Sequence, residues 1–444
     1  MCHPPSVCAG SCNSTDQASP VQVSELPVHP GNLNVPEWRL KKIVQLALGI
    51  ITGIGGFLEI GSVTTAAQAG AAFGYQLIWP LLLGMTCLAF LLEMSGRFSA
   101  VSKHTVIEGL RDRFGFGFYS IVLGGIAIVV FLVLVAEIGG VALAIELGTG
   151  VGIAWWAIPV AFLAWLILWK GNLDFVEDAP SILGIVSIFF AIGAWRLNPD
   201  WGHVAQGALP TLSSNDKPRY WFLAVSILGA SISPYLMYFY SAGAVEEKWD
   251  KTYLGINRII AGVGSAFGGL LAVAVMIVSA IIFHDRGIQV ERFDQMARMM
   301  SYPFPQWGIV LFAFTLGVTC LGATMEIALS ISYMFGQGLG WHSSEEGKPG
   351  QEARFSTVYT VIIFIAAIPI ILGVNPIKVT EISMALEAAI LPLAVVPFLI
   401  LMNDRDYVGD HTNKLIGNTV VVIITVMSFV LAIVSLPLQL FGGG

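Results

Sequence analysis

Long apolar runs, separated by short polar stretches, cover most of the chain after residue 40. A helix needs about 20 predominantly apolar residues to cross the hydrocarbon core of a bilayer. The runs reach that length, so the pattern predicts an all-α polytopic membrane protein with about 11 transmembrane helices. We place the helices at 40–73, 75–97, 116–150, 153–170, 179–197, 219–248, 254–284, 305–340, 355–373, 376–402 and 415–440.

The first predicted helix is interrupted near its middle. Its segment 51–74, ITGIGGFLEIGSVTTAAQAGAAFG, contains a run of glycines and places the carboxylate of Glu59 near mid-membrane. Glycine costs about 1 kcal/mol relative to alanine inside a helix, and a charged residue at the bilayer centre costs about 2.5 to 3.5 kcal/mol on insertion scales. Such a segment is tolerated where it faces protein or water, as in the broken helices of transporters. We interpret it as half of an ion-binding site.

The sixth predicted helix carries a matching interruption. In the segment 221–247, WFLAVSILGASISPYLMYFYSAGAVEE, Pro234 removes one helical hydrogen bond and disfavours helix at the residue before it. Two broken helices at corresponding positions of two halves indicate an inverted 5+5 repeat transporter. Half-helices that end near Glu59 and Ala230 would direct partial negative charge towards one point. The two breaks together therefore predict a cation site.

The predicted helices divide the chain into a tail and one transporter domain. Residues 1–37 are rich in Pro, Ser, Gly and Asn, which predicts a disordered tail. The transporter domain is 38–444, with a first repeat at about 40–197, a second at about 219–402 and an extra helix at about 415–440. In this arrangement 15 of the 22 Lys and Arg residues lie on the side of the amino terminus. The positive-inside rule then predicts a cytoplasmic amino terminus, and we expect the plasma (inner) membrane.

Composition supports the membrane class and excludes several functions. The chain is 56% hydrophobic and 11% charged, whereas soluble proteins carry about 25% charged residues. A net charge of −7 provides no basic surface for nucleic acid. The sequence shows no phosphate loop, nucleophile motif or cofactor motif. We therefore expect neither an enzyme nor a resident cofactor, and the expected partners are the lipid bilayer and a transported ion.

Acidic residues lie inside the predicted helices, whereas no Lys or Arg lies at mid-span. A buried carboxylate must be paired, hydrogen-bonded or protonated. Without basic partners, a proton or a bound cation remains, which argues against a pathway for anions. The acidic residues are Glu59, Glu93, Glu137, Glu146, Glu326 and Glu387.

Several short motifs, in this order and spacing, resemble the Nramp family of divalent-metal transporters. The resemblance runs from about Leu40 to the end of the chain. It implies a leucine-transporter-like fold and transport of a divalent metal ion by alternating access. The motifs are Gln68-Ala69-Gly70-Ala71 with Phe73-Gly74-Tyr75, Asn198-Pro199-Asp200-Trp201-Gly202, Leu228-Gly229-Ala230 with Pro234, and Asn403-Asp404-Arg405 with Gly409 and Asn413.

The metal-binding motifs of that family fall on altered residues here. The family's Asp-Pro-Gly-Asn falls on Glu59-Ile60-Gly61-Ser62, and its Met-Pro-His falls on Ser233-Pro234-Tyr235. A hydroxyl replaces the thioether ligand, and oxygen ligands favour Mg²⁺, Ca²⁺ and Mn²⁺. The chain is thus similar to Nramp-related magnesium transporters, and Mg²⁺ or Mn²⁺ is the favoured substrate. The resemblance implies metal ligands at Glu59, Ser62, Ala230 and Ser233, with Tyr235, Glu387 and Gly61 as further candidates.

The residues that would carry protons are altered as well. All seven histidines lie in the tail or in predicted loops. The acidic residue that serves the proton route in span three of the family falls near Ala142 or Ala144, flanked by Glu137 and Glu146. We therefore expect weak or no proton coupling. Two alternatives remain: a transporter of an organic cation or amine with Glu59 as counter-ion, and a transport-inactive membrane sensor.

Overall fold

The computed structural model describes residues 59–170, 185–210, 216–341 and 349–441. Within these ranges the chain is helical and has no β-strand. The helices are α1 (Ile60–Phe73), α2 (Ile78–Ser102), α3 (Val106–Thr149), α4 (Ile153–Lys170), α5 (Ile188–Arg196), α6 (Trp201–Gly207), α7 (Lys217–Ser231), α8 (Pro234–Glu246), α9 (Leu254–Phe283), α10 (Phe293–Met299), α11 (Gly308–Gly338), α12 (Ala353–Ile371), α13 (Pro376–Met402), α14 (Arg405–Val408) and α15 (Leu415–Phe441).

Nine spans in the described ranges are long and apolar enough to cross a membrane, and α7 with α8 counts as one of them. The bounds of α4 and α13 coincide with the predicted spans 153–170 and 376–402. The predicted first span continues upstream of Glu59 and the fifth upstream of residue 185, where the chain lies outside the described residues. The predicted tail at 1–37 lies outside them too, so its disorder stays a prediction.

The predicted linker between the second and third spans contains a helical segment. A linker was expected from Arg97 to Phe116, but α2 continues to Ser102 and α3 begins at Val106. Non-helical backbone at Gly115, with φ 81° and ψ 160°, interrupts α3 immediately before Phe116, where the third span was predicted to begin. Thr105 accounts for this early start, because its hydroxyl accepts from the Glu108 backbone N–H at 3.2 Å and its own N–H donates to Glu108 Oε2 at 2.9 Å. This reciprocal pair is a capping box, which satisfies two backbone donors at a helix start.

Four pairs of helices at corresponding positions of the two halves pack directly on each other. They are α1 with α7, α2 with α9, α3 with α11, and α4 with α12. The two halves of the chain are therefore interleaved rather than placed side by side. This arrangement brings the start of α1 and the end of α7 together, and α13 packs against both helices.

Close backbone approach at Gly229 positions the end of α7 on α13. A Cβ placed on Gly229 would lie 1.7 Å from the carbonyl oxygen of Met384, a distance that no real side chain tolerates. Small residues commonly permit such contacts between membrane helices. The absence of a side chain at this position is thus what sets the depth of the second break against α13.

One mid-span acid has a basic partner, contrary to the expectation from sequence. Arg97 Nε lies 3.1 Å from Glu93 Oε1, one helical turn away on α2. The same guanidinium donates to the His411 carbonyl and, at 2.7 Å, to Asn413 Oδ1. Arg97 therefore neutralises Glu93 and ties α2 to the segment that precedes α15.

Candidate metal site between the two helix breaks

Helix α1 begins at Ile60, at the point where the first break was predicted, and we keep the name first break for this helix start. Glu59 occupies its N-cap position. Its backbone is extended, with φ −98° and ψ 175°, and its side chain makes no capping bond to the helix. The backbone N–H of Ile60 instead donates to Oε1 of Glu137, on α3, at 3.2 Å. A carboxylate is favourable at a helix amino terminus, where backbone N–H groups carry partial positive charge. Glu137 thus takes over a capping role and leaves the Glu59 carboxylate available.

The second break lies between Ser231, the last residue of α7, and Pro234, the first residue of α8. Proline has no N–H, so the carbonyl of Ala230 cannot accept the helical hydrogen bond from position 234. The N–H of Ile232 donates to the Gly229 carbonyl at 3.1 Å, which closes the last turn of α7. Ser233 occupies the N-cap position of α8, and its side chain makes no capping bond there either.

The side chains of Glu59 and Ser233, the two N-cap residues that make no capping bond, lie next to each other. Ser233 Oγ lies 3.4 Å from Glu59 Oε1 and 3.2 Å from Oε2 of Glu387 on α13. The hydroxyl of Tyr235 donates to Glu59 Oε2 at 3.1 Å. We call Glu59, Ser233, Tyr235 and Glu387 the junction cluster. It joins the first break, the second break and α13.

The junction cluster is closed off from solvent and rich in carboxyl groups without basic partners. Glu59 is 1% exposed, and Glu387 and the adjoining Glu137 are 0% exposed. None of the ion pairs in the described ranges involves these three carboxylates. In the same ranges, Oε1 of Glu387 and Oε2 of Glu137 are buried without a hydrogen-bond partner. Burial of unpaired charge is costly, so a divalent cation between these groups would supply the missing positive charge.

The remaining predicted ligands flank the junction cluster in the chain. Gly61 and Ser62 lie in the first turn of α1, and Ala230 lies in the last turn of α7. Ser62 is 4% exposed and Ala230 is 6% exposed. Their roles as ligands stay predictions, whereas the structure brings Glu59, Ser233, Tyr235 and Glu387 into contact.

The donor types at the junction suit a cation held by mixed oxygen atoms. Within the described part of the chain, no three His, Cys, Asp or Glu side chains form a group that could hold a metal ion by themselves. A cation here would need hydroxyl and carbonyl oxygens in addition to carboxylates. Carboxylate, hydroxyl, carbonyl and water oxygens are the ligands that hard divalent cations take in proteins.

Sequence reasoning missed the capping role of Glu137. It predicted that mid-span acids such as Glu137 and Glu146 must be paired, hydrogen-bonded or protonated, but it named no partner for either. The structure brings Glu137 to the first break, whereas Glu146 lies in the last turn of α3. The available signal was a mid-span acid with no basic residue nearby in the chain, but nothing in the sequence near Glu137 indicates its partner.

Comparisons with known proteins agree with this architecture. The family model described as natural resistance-associated macrophage protein-like matches residues 49–437. The divalent metal cation transporter MntH of Vibrio campbellii is 26% identical over 399 residues, which cover 87% of this chain and 90% of the relative.

Two solved structures show the same fold. A mutant of the Eremococcus coleocola manganese transporter superposes with a TM-score of 0.75 at 16% identity, covering 95% of this chain and 91% of that chain. MhsT in complex with L-phenylalanine superposes with a TM-score of 0.60 at 13% identity, covering 88% and 97%. The predicted leucine-transporter-like fold is confirmed. Because the family model spans most of the sequence, this integral membrane protein belongs to the Nramp family.

Proposed function

We propose that this protein moves a divalent cation across the membrane by alternating access, with the junction cluster as its binding site. The observation that carries the proposal is the convergence of buried Glu59 and Glu387 on one serine hydroxyl between two helix breaks. These carboxylates form no ion pair within the described ranges, so the site lacks positive charge. Family membership and similarity to relatives named for divalent metal cations support the same function.

Each group in the site has a distinct part in holding the cation. Glu59 and Glu387 supply charge, and the hydroxyls of Ser233 and Tyr235 supply neutral oxygens. Ser62 adds a further hydroxyl. The Ala230 carbonyl lies at the carboxyl end of α7, which carries partial negative charge. Such a set suits Mn²⁺ or Mg²⁺, and Mg²⁺ usually retains several waters.

The broken helices provide the means of exposing the site in turn to each side of the membrane. The helices α1 and α8 both begin at the junction cluster, so tilting either half-helix opens one face of the site without dismantling the other. Alternating access in transporters of this architecture is largely rigid-body motion around a fixed site near mid-membrane.

The decisive experiment is uptake of Mn²⁺ and Mg²⁺ into proteoliposomes by the wild type and by Glu59→Gln. We expect the substitution to abolish uptake, because an amide keeps the shape and removes the charge. Glu291→Gln makes the same chemical change at an exposed position and serves as the matched control. Undiminished metal uptake by Glu59→Gln would contradict the proposed site.

The same preparation separates the other candidate functions. If choline stabilises the protein while neither metal is taken up, the substrate is an organic cation. If no solute binds or moves, the protein is a transport-inactive sensor.

We also propose that cation movement is weakly coupled to protons or uncoupled. In the described ranges no histidine is among the hydrogen-bond partners of the junction cluster, and Oε1 of Glu137 accepts from the Ile60 N–H. Uptake should therefore proceed at a similar rate with and without an imposed proton gradient. A pH-sensitive dye inside the vesicles should report no acidification that accompanies metal entry; stoichiometric acidification would reject this part of the proposal.

A further inference from the structure

Met384 lies between the two helix breaks, and the end of its side chain reaches the first one. The residue belongs to α13 and is 0% exposed. A Cβ placed on Gly61 would lie 2.5 Å from Met384 Sδ and 2.8 Å from its terminal methyl carbon. The thioether therefore rests on the backbone of the first turn of α1, two residues after Glu59.

The backbone of Met384 is held against the second break. Its carbonyl oxygen occupies the space next to Gly229, the residue before Ala230. Main-chain contact with α7 and side-chain contact with α1 thus fix Met384 in the gap between the two breaks. A methionine in this gap has little freedom to point elsewhere.

The same face of α13 carries Glu387, three residues later. Residues three apart on a helix lie on one face, one turn from each other. Because Glu387 Oε2 lies 3.2 Å from Ser233 Oγ, that face is directed at the junction cluster. The face of α13 that directs Glu387 to Ser233 therefore also places the Met384 sulfur against Gly61, two residues after Glu59.

We propose that Met384 supplies a thioether ligand to the transported cation and so selects Mn²⁺ and softer ions over Mg²⁺ and Ca²⁺. This inference rests on the proposed function and adds a sulfur to the oxygen donors expected from sequence. Thioether sulfur is a soft ligand, whereas Mg²⁺ and Ca²⁺ take oxygen ligands. A methionine that only fills space would affect all ions alike, which makes the two roles separable.

The test is direct titration of the purified full-length protein with Cd²⁺, Mn²⁺, Mg²⁺ and Ca²⁺. Met384→Leu preserves volume and removes sulfur. Met402→Leu is the matched control, because Met402 is also 0% exposed, near the other end of the same helix. We expect Met384→Leu to weaken Cd²⁺ binding about tenfold, equivalent to about 1.4 kcal/mol. Mn²⁺ binding should weaken less, and Mg²⁺ binding should not change.

X-ray absorption of bound Cd²⁺ provides a readout independent of affinity. The wild type should show sulfur in the coordination shell, and Met384→Leu should lose it while Met402→Leu retains it. An equal loss of affinity for all four ions, or unchanged Cd²⁺ binding, would overturn the proposal. Glu59→Gln distinguishes failure of the proposed cation site from failure of the proposed thioether ligand. If Glu59→Gln abolishes binding of every ion while Met384→Leu changes nothing, the site stands and only the sulfur ligand is rejected.

Discussion

The two helix breaks reach one point by different means. The first depends on a distant residue, because the N–H of Ile60 is satisfied by Glu137, 77 positions away on α3. The second is local, since Pro234 alone removes the hydrogen bond that would continue α7. The first break contributes the charge of Glu59, and the second contributes the neutral hydroxyls of Ser233 and Tyr235.

At both breaks the N-cap side chain is directed across the gap instead of to its own helix. Loss of a favourable N-cap typically costs about 1 kcal/mol. Glu137 offsets that cost for α1 by accepting from Ile60, whereas the side chain of Ser233 leaves the start of α8 without a side-chain cap. The proposed binding site thus uses groups that would otherwise stabilise local secondary structure.

The largest effect on stability should come from Gly229→Ala, which disturbs the docking of the second break. The new Cβ would overlap the Met384 carbonyl, so α7 and α13 must separate. We expect a loss of about 3 kcal/mol, at the upper end of the usual cost of overpacking, visible as a lower melting temperature in detergent. Gly124→Ala is the control, because its Cβ would meet no atom within 4 Å. Equal melting temperatures of the Gly229→Ala and Gly124→Ala variants would show that α7 and α13 can move apart at Gly229 without loss of stability.

A smaller loss is expected at the first break from Glu137→Ala. This change removes the acceptor for the Ile60 N–H, and a buried unsatisfied donor costs about 1 to 3 kcal/mol. Glu137→Gln keeps an acceptor oxygen and should remain close to the wild type in melting temperature. If the alanine and glutamine variants are equally stable, the capping role assigned to Glu137 is wrong.

The smallest effect on stability, and the clearest difference between the breaks, is expected from Pro234→Ala. Alanine restores an N–H that can bond to the Ala230 carbonyl and thus competes with the cation for that oxygen. Stability should be unchanged or higher, whereas cation affinity should fall about tenfold, or about 1.4 kcal/mol. Titration of one preparation tests the expected fall in cation affinity, and thermal unfolding of the same preparation tests the unchanged or higher stability. Unaltered affinity would remove the Ala230 carbonyl from the set of ligands.

Features with a local signature could be predicted from sequence. The apolar runs located spans such as α4 and α13, the segment around Glu59 indicated where α1 begins, and the proline after Ser233 located the break between α7 and α8. The Glu93–Arg97 pair was also readable, since residues four apart on a helix are neighbours, but the span was ended at Arg97 and the pair was overlooked. The helical segment that begins at Val106 was missed for a similar reason, because the charges of the first turns of α3 were interpreted as a loop, whereas the predicted start at Phe116 coincides with the interruption at Gly115.

Features made by contacts between distant segments could not be predicted. Glu137 meets Ile60 across 77 residues, and Met384 meets Gly61 from a helix near the other end of the chain. Neither contact follows from periodicity or spacing, because each depends on how deeply α3 and α13 sit against α1. The family resemblance indicated which positions to inspect but not which side chains would replace the ones that had changed.

The interleaving of the two halves has a consequence for how the protein moves. Helices α2, α3 and α4 each pack against their counterparts α9, α11 and α12. Neither half of the chain can therefore rotate as an independent rigid body without moving these contacts. We expect any change between inward-facing and outward-facing states to shift all three helix–helix interfaces at the same time. A substitution that tightens any one of these interfaces should then slow the opening of the site to both sides of the membrane.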